Sequence, residues 1–137
     1  MYDACSVDIK KSTHSPKHIS VLIVDDSIFN LRHLSSLFNS LGYNVVGTAK
    51  DGEEAIEKYQ EYRPQLVTMD ITMPELDGIS AVRGIISRFP DANIIMITSN
   101  GMEEMVLKAL RIGAKGYILK PVKIKALKEQ LANLNLQ

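Results

Sequence analysis

The sequence predicts an α/β protein, a doubly wound five-stranded parallel sheet flanked by five helices. Three observations carry that prediction. Short apolar runs alternate with helix-period segments five times between residue 18 and the end. Each run is strand-length and nearly continuous in its apolar character, as strands covered on both faces are. Each also breaks off in turn or capping residues, which leaves room for right-handed crossovers that carry the chain back across the sheet.

Ile19 to Val24 reads as the first strand, ended by Asp25-Asp26-Ser27. Ile28 to Leu41 reads as a helix, with Ile28, Leu31, Leu34, Phe38 and Leu41 on one face at three- and four-residue steps. Ser27 or Asp26 is placed to cap its start, and Gly42 to supply the left-handed stop. Tyr43 to Ala49 is β-rich. Asp51 to Tyr62 is a second helix, opened by the capping-box pattern Asp51-Gly-Glu-Glu54 and stopped before Pro64. Leu66 to Met69 is the third strand, followed by a loop that Pro74 and Asp77-Gly78 shape. A third helix spans roughly Ile79 to Phe89. Ile94 to Ile97 is the fourth strand, and Thr98-Ser99-Asn100-Gly101 the loop after it. Met105, Val106, Ala109 and Leu110 form a fourth helix face ended by Gly113. Tyr117 to Leu119 is the fifth strand, broken by Lys120-Pro121, and Ile124, Leu127, Leu131 and Leu134 stripe a last helix.

The totals narrow the function. At 137 residues the chain suits one domain, with residues 18–137 as its body and residues 1–17 as a polar, aperiodic and mobile N-terminal extension. Lys plus Arg equals Asp plus Glu at 16 each, so the basic excess of a nucleic-acid binder is missing. No apolar run approaches a membrane span, and the first residues lack the core of a signal peptide, so cytoplasmic residence is expected. The single cysteine, Cys5, rules out an internal disulfide and reads as a solvated tail residue. His14 and His18 have a helical metal spacing, but Pro16 between them argues against the helix. With the fold consuming the sequence, the protein is expected to act through its own surface.

The strand ends carry the chemistry. In a doubly wound sheet the first and third strands are neighbours, so Asp25 and Asp26 converge with Asp70 at the carboxyl edge, where such folds bind ligands. Three like charges there repel, raise one another's pKa and call for a cation; an all-oxygen donor set suits Mg²⁺. A lone aspartate after a strand is ordinarily a helix cap, but three placed on one edge by the alternation exceed that. Thr98 follows the fourth strand and Lys120 the fifth, adding the hydroxyl and the ammonium that the oxygens of a transferred phosphoryl group require. The Lys120-Pro121 bond is of the type that can be cis, which would aim the lysine inward. A Ser-His-Asp hydrolase is disfavoured, with no Gly-x-Ser-x-Gly and with histidines only at or near the N-terminal end. No Gly-x-Gly-x-x-Gly or P-loop cradles a nucleotide.

Taken together, Val-Asp-Asp-Ser at 24–27, Met-Asp-Ile-Thr-Met-Pro-Glu-Leu-Asp-Gly at 69–78, Ile-Thr-Ser at 97–99 and Gly-Ala-Lys-Gly-Tyr-Ile-Leu-Lys-Pro at 113–121 carry a resemblance. From about Ile19 to Leu134 the chain resembles response-regulator receiver domains, and among them the stand-alone chemotaxis regulators. The resemblance implies a flavodoxin-like fold of strand order 2-1-3-4-5 and a two-component phosphoprotein rather than an enzyme in the ordinary sense. Asp70 would accept phosphate from a histidine kinase as an acyl phosphate and later lose it by self-catalysed dephosphorylation. Asp25, Asp26, Asp70 and the Thr72 carbonyl would hold Mg²⁺, with Asp26 a direct ligand and Asp25 acting partly through water. Lys120 would pair with the phosphate, Thr98 would move to hydrogen-bond it, and Tyr117 would turn inward. That step would bias the face formed by the fourth helix, fifth strand and fifth helix toward a target such as a flagellar motor switch protein, with a phosphatase as a further partner. Tyr117 as a fixed core aromatic is the plainer alternative. Ser99, Asn100 and Val122 depart from the commonest residues of the family at positions that bear on phosphate access, lifetime and local packing.

A phosphorelay intermediate and a stress-signalling single-domain regulator are alternatives within the same class. A Mg²⁺-dependent phosphatase working through an aspartyl phosphate would want a second acid two residues past the nucleophile, where Thr72 stands. A flavin carrier would need a phosphate loop after the first strand, where Asp25 and Asp26 would repel it.

Overall fold

The computed structural model describes residues 19–73, 77–134 and 136. The extension with Cys5 and His14, the first body residue His18, and Pro74 in the loop after the third strand lie outside the described residues. The element order is β1 (Ser20–Val24), α1 (Ile28–Ser40), β2 (Asn44–Ala49), α2 (Gly52–Tyr62), β3 (Leu66–Asp70), α3 (Gly78–Arg88), β4 (Ile94–Thr98), α4 (Glu103–Ile112), β5 (Gly116–Leu119) and α5 (Ile124–Ala132). All strands are parallel in the order β2-β1-β3-β4-β5, so β1 and β3 are adjacent. The expected alternation and strand order are both present.

Side chains of successive strand residues point to opposite faces, and the core divides accordingly. Leu22 and Val24, Val67 and Met69, Ile94 and Met96 meet Ala55, Val82, Ile85 and Ala109 from α2, α3 and α4. Val21 and Ile23, Leu66, Ile95 and Ile97 meet Leu34, Phe38, Leu127 and Leu131 from α1 and α5. Burying one such large side chain is worth about 1.5–3 kcal/mol, so the two layers hold the sheet between them. That packing is what fixes the strand ends in space.

Local chemistry sets the helix starts and stops. Ser27, not Asp26, caps α1, its hydroxyl accepting from the Asn30 amide at 3.3 Å. Asp51 accepts from the Glu54 amide at 2.8 Å, and Glu54 reaches back to the Lys50 amide at 2.7 Å, a capping box shifted by one residue. Asp77 caps α3 through the Ser80 amide at 2.8 Å. Gly42 takes the left-handed conformation expected after α1, with φ 87°. The stop of α2 falls on Arg63, left-handed at φ 46° although it is not glycine, because the residue before Pro64 is steered out of the helical region. The Arg63 guanidinium stacks 4.2 Å from the Phe89 ring centre, which holds that turn.

Two stripe residues are not where the periodicity places them. Ile28 and Ile124, each the first residue of its helix, are exposed rather than packed on the sheet. A first helical turn can overhang the strand ends, and there the apolar stripe has no opposing layer.

Candidate functional site

The site forms where β1, β3, β4 and β5 end. Asp25 directly follows β1 and is fully buried; its amide extends the ladder by donating to the Ala49 carbonyl at 3.0 Å. Its Oδ1 accepts from the Ser27 amide at 2.9 Å and from Asn30 Nδ2 at 3.4 Å. Its Oδ2 has no hydrogen-bond partner and lies 3.4 Å from Lys120 Nζ, an ion-pair distance without hydrogen-bond geometry. Asp26 is exposed at the mouth. Asp70 closes β3, is 3% exposed, and accepts from Lys120 Nζ through Oδ1 at 3.2 Å. One carboxylate oxygen from each of Asp25, Asp26 and Asp70 falls within 4.8 Å of the other two.

The electrostatics follow from that crowding. Burial first, and then the neighbouring Asp25 charge, push the Asp70 carboxyl up to about 6; Lys120 pulls it down by charge and hydrogen bond, and Asp26 adds a smaller upward push. Burial would lower Lys120, but the charges of Asp70 and Asp25 outweigh it and hold the ammonium above its usual value. Three carboxylates against one ammonium leave the pocket short of positive charge.

The donor chemistry suits a hard divalent ion. Every candidate ligand is oxygen, and Asp25 Oδ2 is a buried acceptor with no hydrogen bond, an arrangement that native proteins rarely tolerate without a partner. The residues present therefore fit Mg²⁺.

The other predicted residues are placed around this centre. Thr98 ends β4 and is 2% exposed; its hydroxyl donates to the neighbouring Ser99 carbonyl at 3.3 Å. The Lys120 amide donates to the Thr98 carbonyl at 2.7 Å, which ties the ends of β4 and β5 together. Thr72 lies two residues beyond Asp70 and is exposed. Tyr117 sits on β5 with its side chain 45% exposed, outward rather than packed in the core. It lines a groove of about 410 Å³ between β5 and α5 with Leu119, Lys123, Ala126, Glu129 and Gln130.

Three residues near the site escape a reading based on strand ends alone. Asn30 orients Asp25 from the first turn of α1; its signal is an amide side chain in a helix, where it has little intrinsic reason to be. Gly78 donates to the Ile71 carbonyl at 2.9 Å and packs so close that a Cβ there would overlap the Asp70 carbonyl oxygen. Its Asp-Gly context marked a turn but not that contact. His33, grouped by the sequence with histidines near the N-terminal end, lies on α1 against the segment that follows Lys120, with Nε2 2.9 Å from the Val122 carbonyl.

Comparison with known proteins agrees with this picture. The family model described as the response regulator receiver domain matches residues 21–132. The chemotaxis protein CheY of Thermotoga maritima is 48% identical over 101 residues, covering 74% of this chain and 84% of that protein. CheY of Treponema pallidum is 45% identical over 116 residues, covering 83% and 81%. Among solved structures, the CheX-CheY-BeF3-Mg²⁺ complex from Borrelia burgdorferi superposes with a TM-score of 0.82 at 40% identity, covering 90% of this chain and 92% of that one. The strand order found above is that of CheY itself.

Proposed function

Because this chain belongs to the response regulator receiver domain family, we propose that it is a stand-alone response regulator whose Asp70 accepts a phosphoryl group from a histidine kinase. The receiver domain is residues 18–137, and residues 1–17 are an extension to it. The observation that carries the reading is Asp70 itself: a nearly buried carboxylate at a strand end, with two acids in ligand reach and a lysine at 3.2 Å.

In the transfer, an Asp70 carboxylate oxygen forms the new bond to phosphorus as the phosphorus–nitrogen bond of the donor imidazole breaks, and the released imidazole takes up a proton. Asp25, Asp26, Asp70 and the Thr72 carbonyl would hold Mg²⁺, which would supply positive charge to offset the negative charge of the carboxylates and of the phosphoryl group. Lys120 leaves its carboxylate partners to pair with the phosphoryl oxygens, a charge-assisted contact. Thr98 exchanges its local bond to Ser99 for one to the phosphoryl group, and Tyr117 turns in from the groove. Hydrolysis of the acyl phosphate at the same centre resets the protein, so it turns over its own modification rather than an outside substrate.

The target face is α4-β5-α5. Leu107, Tyr117, Leu119 and Ile124 leave large apolar side chains exposed there, which supports a protein partner on that side. The CheY names among the relatives favour chemotaxis; the target proposed is a flagellar motor switch protein, and the place the cytoplasm. Among the described residues no helix is long and apolar enough to cross a membrane. The Borrelia burgdorferi complex of CheY with CheX supports a further protein partner; a phosphatase acting on the phosphorylated state is proposed beside it.

Incubation with acetyl phosphate and Mg²⁺ should give base-labile labelling that Asp70→Asn abolishes. Labelling that survives the substitution unchanged would remove Asp70 from the acceptor role.

A further inference from the structure

Lys120 meets Asp70 and Asp25 from the short segment between β5 and α5, and that segment has few hydrogen-bond anchors. At its start the Lys120 amide is tied to the Thr98 carbonyl. At its end the Leu127 amide donates to the Lys123 carbonyl at 3.0 Å and α5 begins. Between these points, among the described residues, residues 121–123 make one side-chain hydrogen bond, from His33 on α1 to the Val122 carbonyl at 2.9 Å. A carbonyl only accepts, so His33 Nε2 carries the proton.

We propose that His33 is a positioning residue for Lys120: by holding the Val122 carbonyl, it fixes the loop from which the ammonium is presented to Asp70. The inference rests on the phosphoacceptor reading above. Packing contributes too: Val122 is buried in the same core layer as Leu31 and Leu34 of α1. Asn30, His33 and Leu34 of α1 face Lys120 and Val122 across a cavity of about 40 Å³ that Asp25 also lines. The hydrogen bond adds direction to that packing, fixing where the Val122 carbonyl points as well as where its side chain sits. A lysine side chain has four rotatable bonds and little geometric bias of its own, so its placement depends on where the backbone starts it. The same bond joins the loop to the helix whose Ser27 and Asn30 orient Asp25, so the cationic and one acidic side of the pocket share one support.

The test uses the full chain with acetyl phosphate and saturating Mg²⁺, following the labelling rate and the thermal midpoint together. His33 is exposed, so His33→Leu and His33→Ala should fold. Both should label roughly ten-fold more slowly with unchanged Mg²⁺ affinity, because a small misplacement of a catalytic charge is costly. His33→Gln, which keeps a side-chain donor, should restore the rate even where its midpoint matches that of His33→Leu. An unaltered rate in both His33→Leu and His33→Ala, or an equal loss in His33→Gln, overturns the proposal. Lys120→Ala run alongside must also be slow; a normal rate there overturns the proposal by removing the group it positions. Absence of any labelling in the unsubstituted chain sinks the phosphoacceptor reading as well, which separates the two failures.

Discussion

Replacing Asp70 with Asn should stabilise the metal-free protein at neutral pH, and the gain should disappear in acid. Asp70 is pushed up to about 6 from the ordinary 3.8, so between those values the folded chain holds a proton that the unfolded chain has released. Stability therefore falls as pH rises through that window and levels off above it, the reverse of a carboxylate favoured by its fold. About two pH units at roughly 1.4 kcal/mol each make the cost of an ionised Asp70 about 3 kcal/mol, a ceiling that local relaxation reduces. Asn resembles the protonated acid in size and shape and carries no such cost. Urea unfolding in the presence of a chelator at pH 4, 5, 6 and 7.5 would read the difference. With a slope near 2 kcal/mol/M for a domain of this size, the midpoint of Asp70→Asn should exceed the parent's by about 1 M or more at pH 7.5 and approach it at pH 4. Equal midpoints at pH 7.5, or a gap that does not narrow in acid, would show that the acids do not strain the fold as described.

Two further outcomes test the surroundings. Gly78→Ala places a methyl group against the Asp70 carbonyl oxygen, backbone that has no rotamer to escape into. It should cost about 1–3 kcal/mol in thermal or urea unfolding and slow labelling of Asp70, whereas an unchanged midpoint would mean that the loop yields freely. Asp26→Ala removes an exposed carboxylate with little structural burden, so calorimetry should show Mg²⁺ affinity reduced by about ten-fold or more while the midpoint in chelator stays within about 0.5 kcal/mol. Equal affinity would take Asp26 out of the ligand set.

Much of this architecture is legible in the amino-acid sequence, for identifiable reasons. Runs such as Ile94 to Ile97 are too short and too apolar for anything but a covered strand, and strict alternation leaves few topologies. Once β1 and β3 are neighbours, Asp25, Asp26 and Asp70 must share an edge, so the acidic centre follows from topology alone. What stayed hidden depends on distances rather than order. Periodicity places Ile28 and Ile124 on inward stripes but cannot say that no layer faces them. The outward setting of Tyr117 is hidden because Tyr117, Ile118 and Leu119 are all apolar, although β5 alternates strictly, with Tyr117 and Leu119 on the exposed face. The contact of His33 with Val122 joins residues 89 apart in sequence, and the approach of Gly78 to Asp70 depends on how the loop between them closes, which no local motif records.

The strand ends that supply the acids and the lysine are scattered along the chain, with Asp70 and Lys120 fifty residues apart. No short stretch of the unfolded polypeptide contains more than a fragment of the pocket; sheet assembly alone creates it. A divalent ion would thus find its full set of donors only in assembled molecules. Its binding stoichiometry would count the folded fraction: near the urea midpoint, about half of the chains would titrate, and raising the ion concentration would draw the remainder back into the fold.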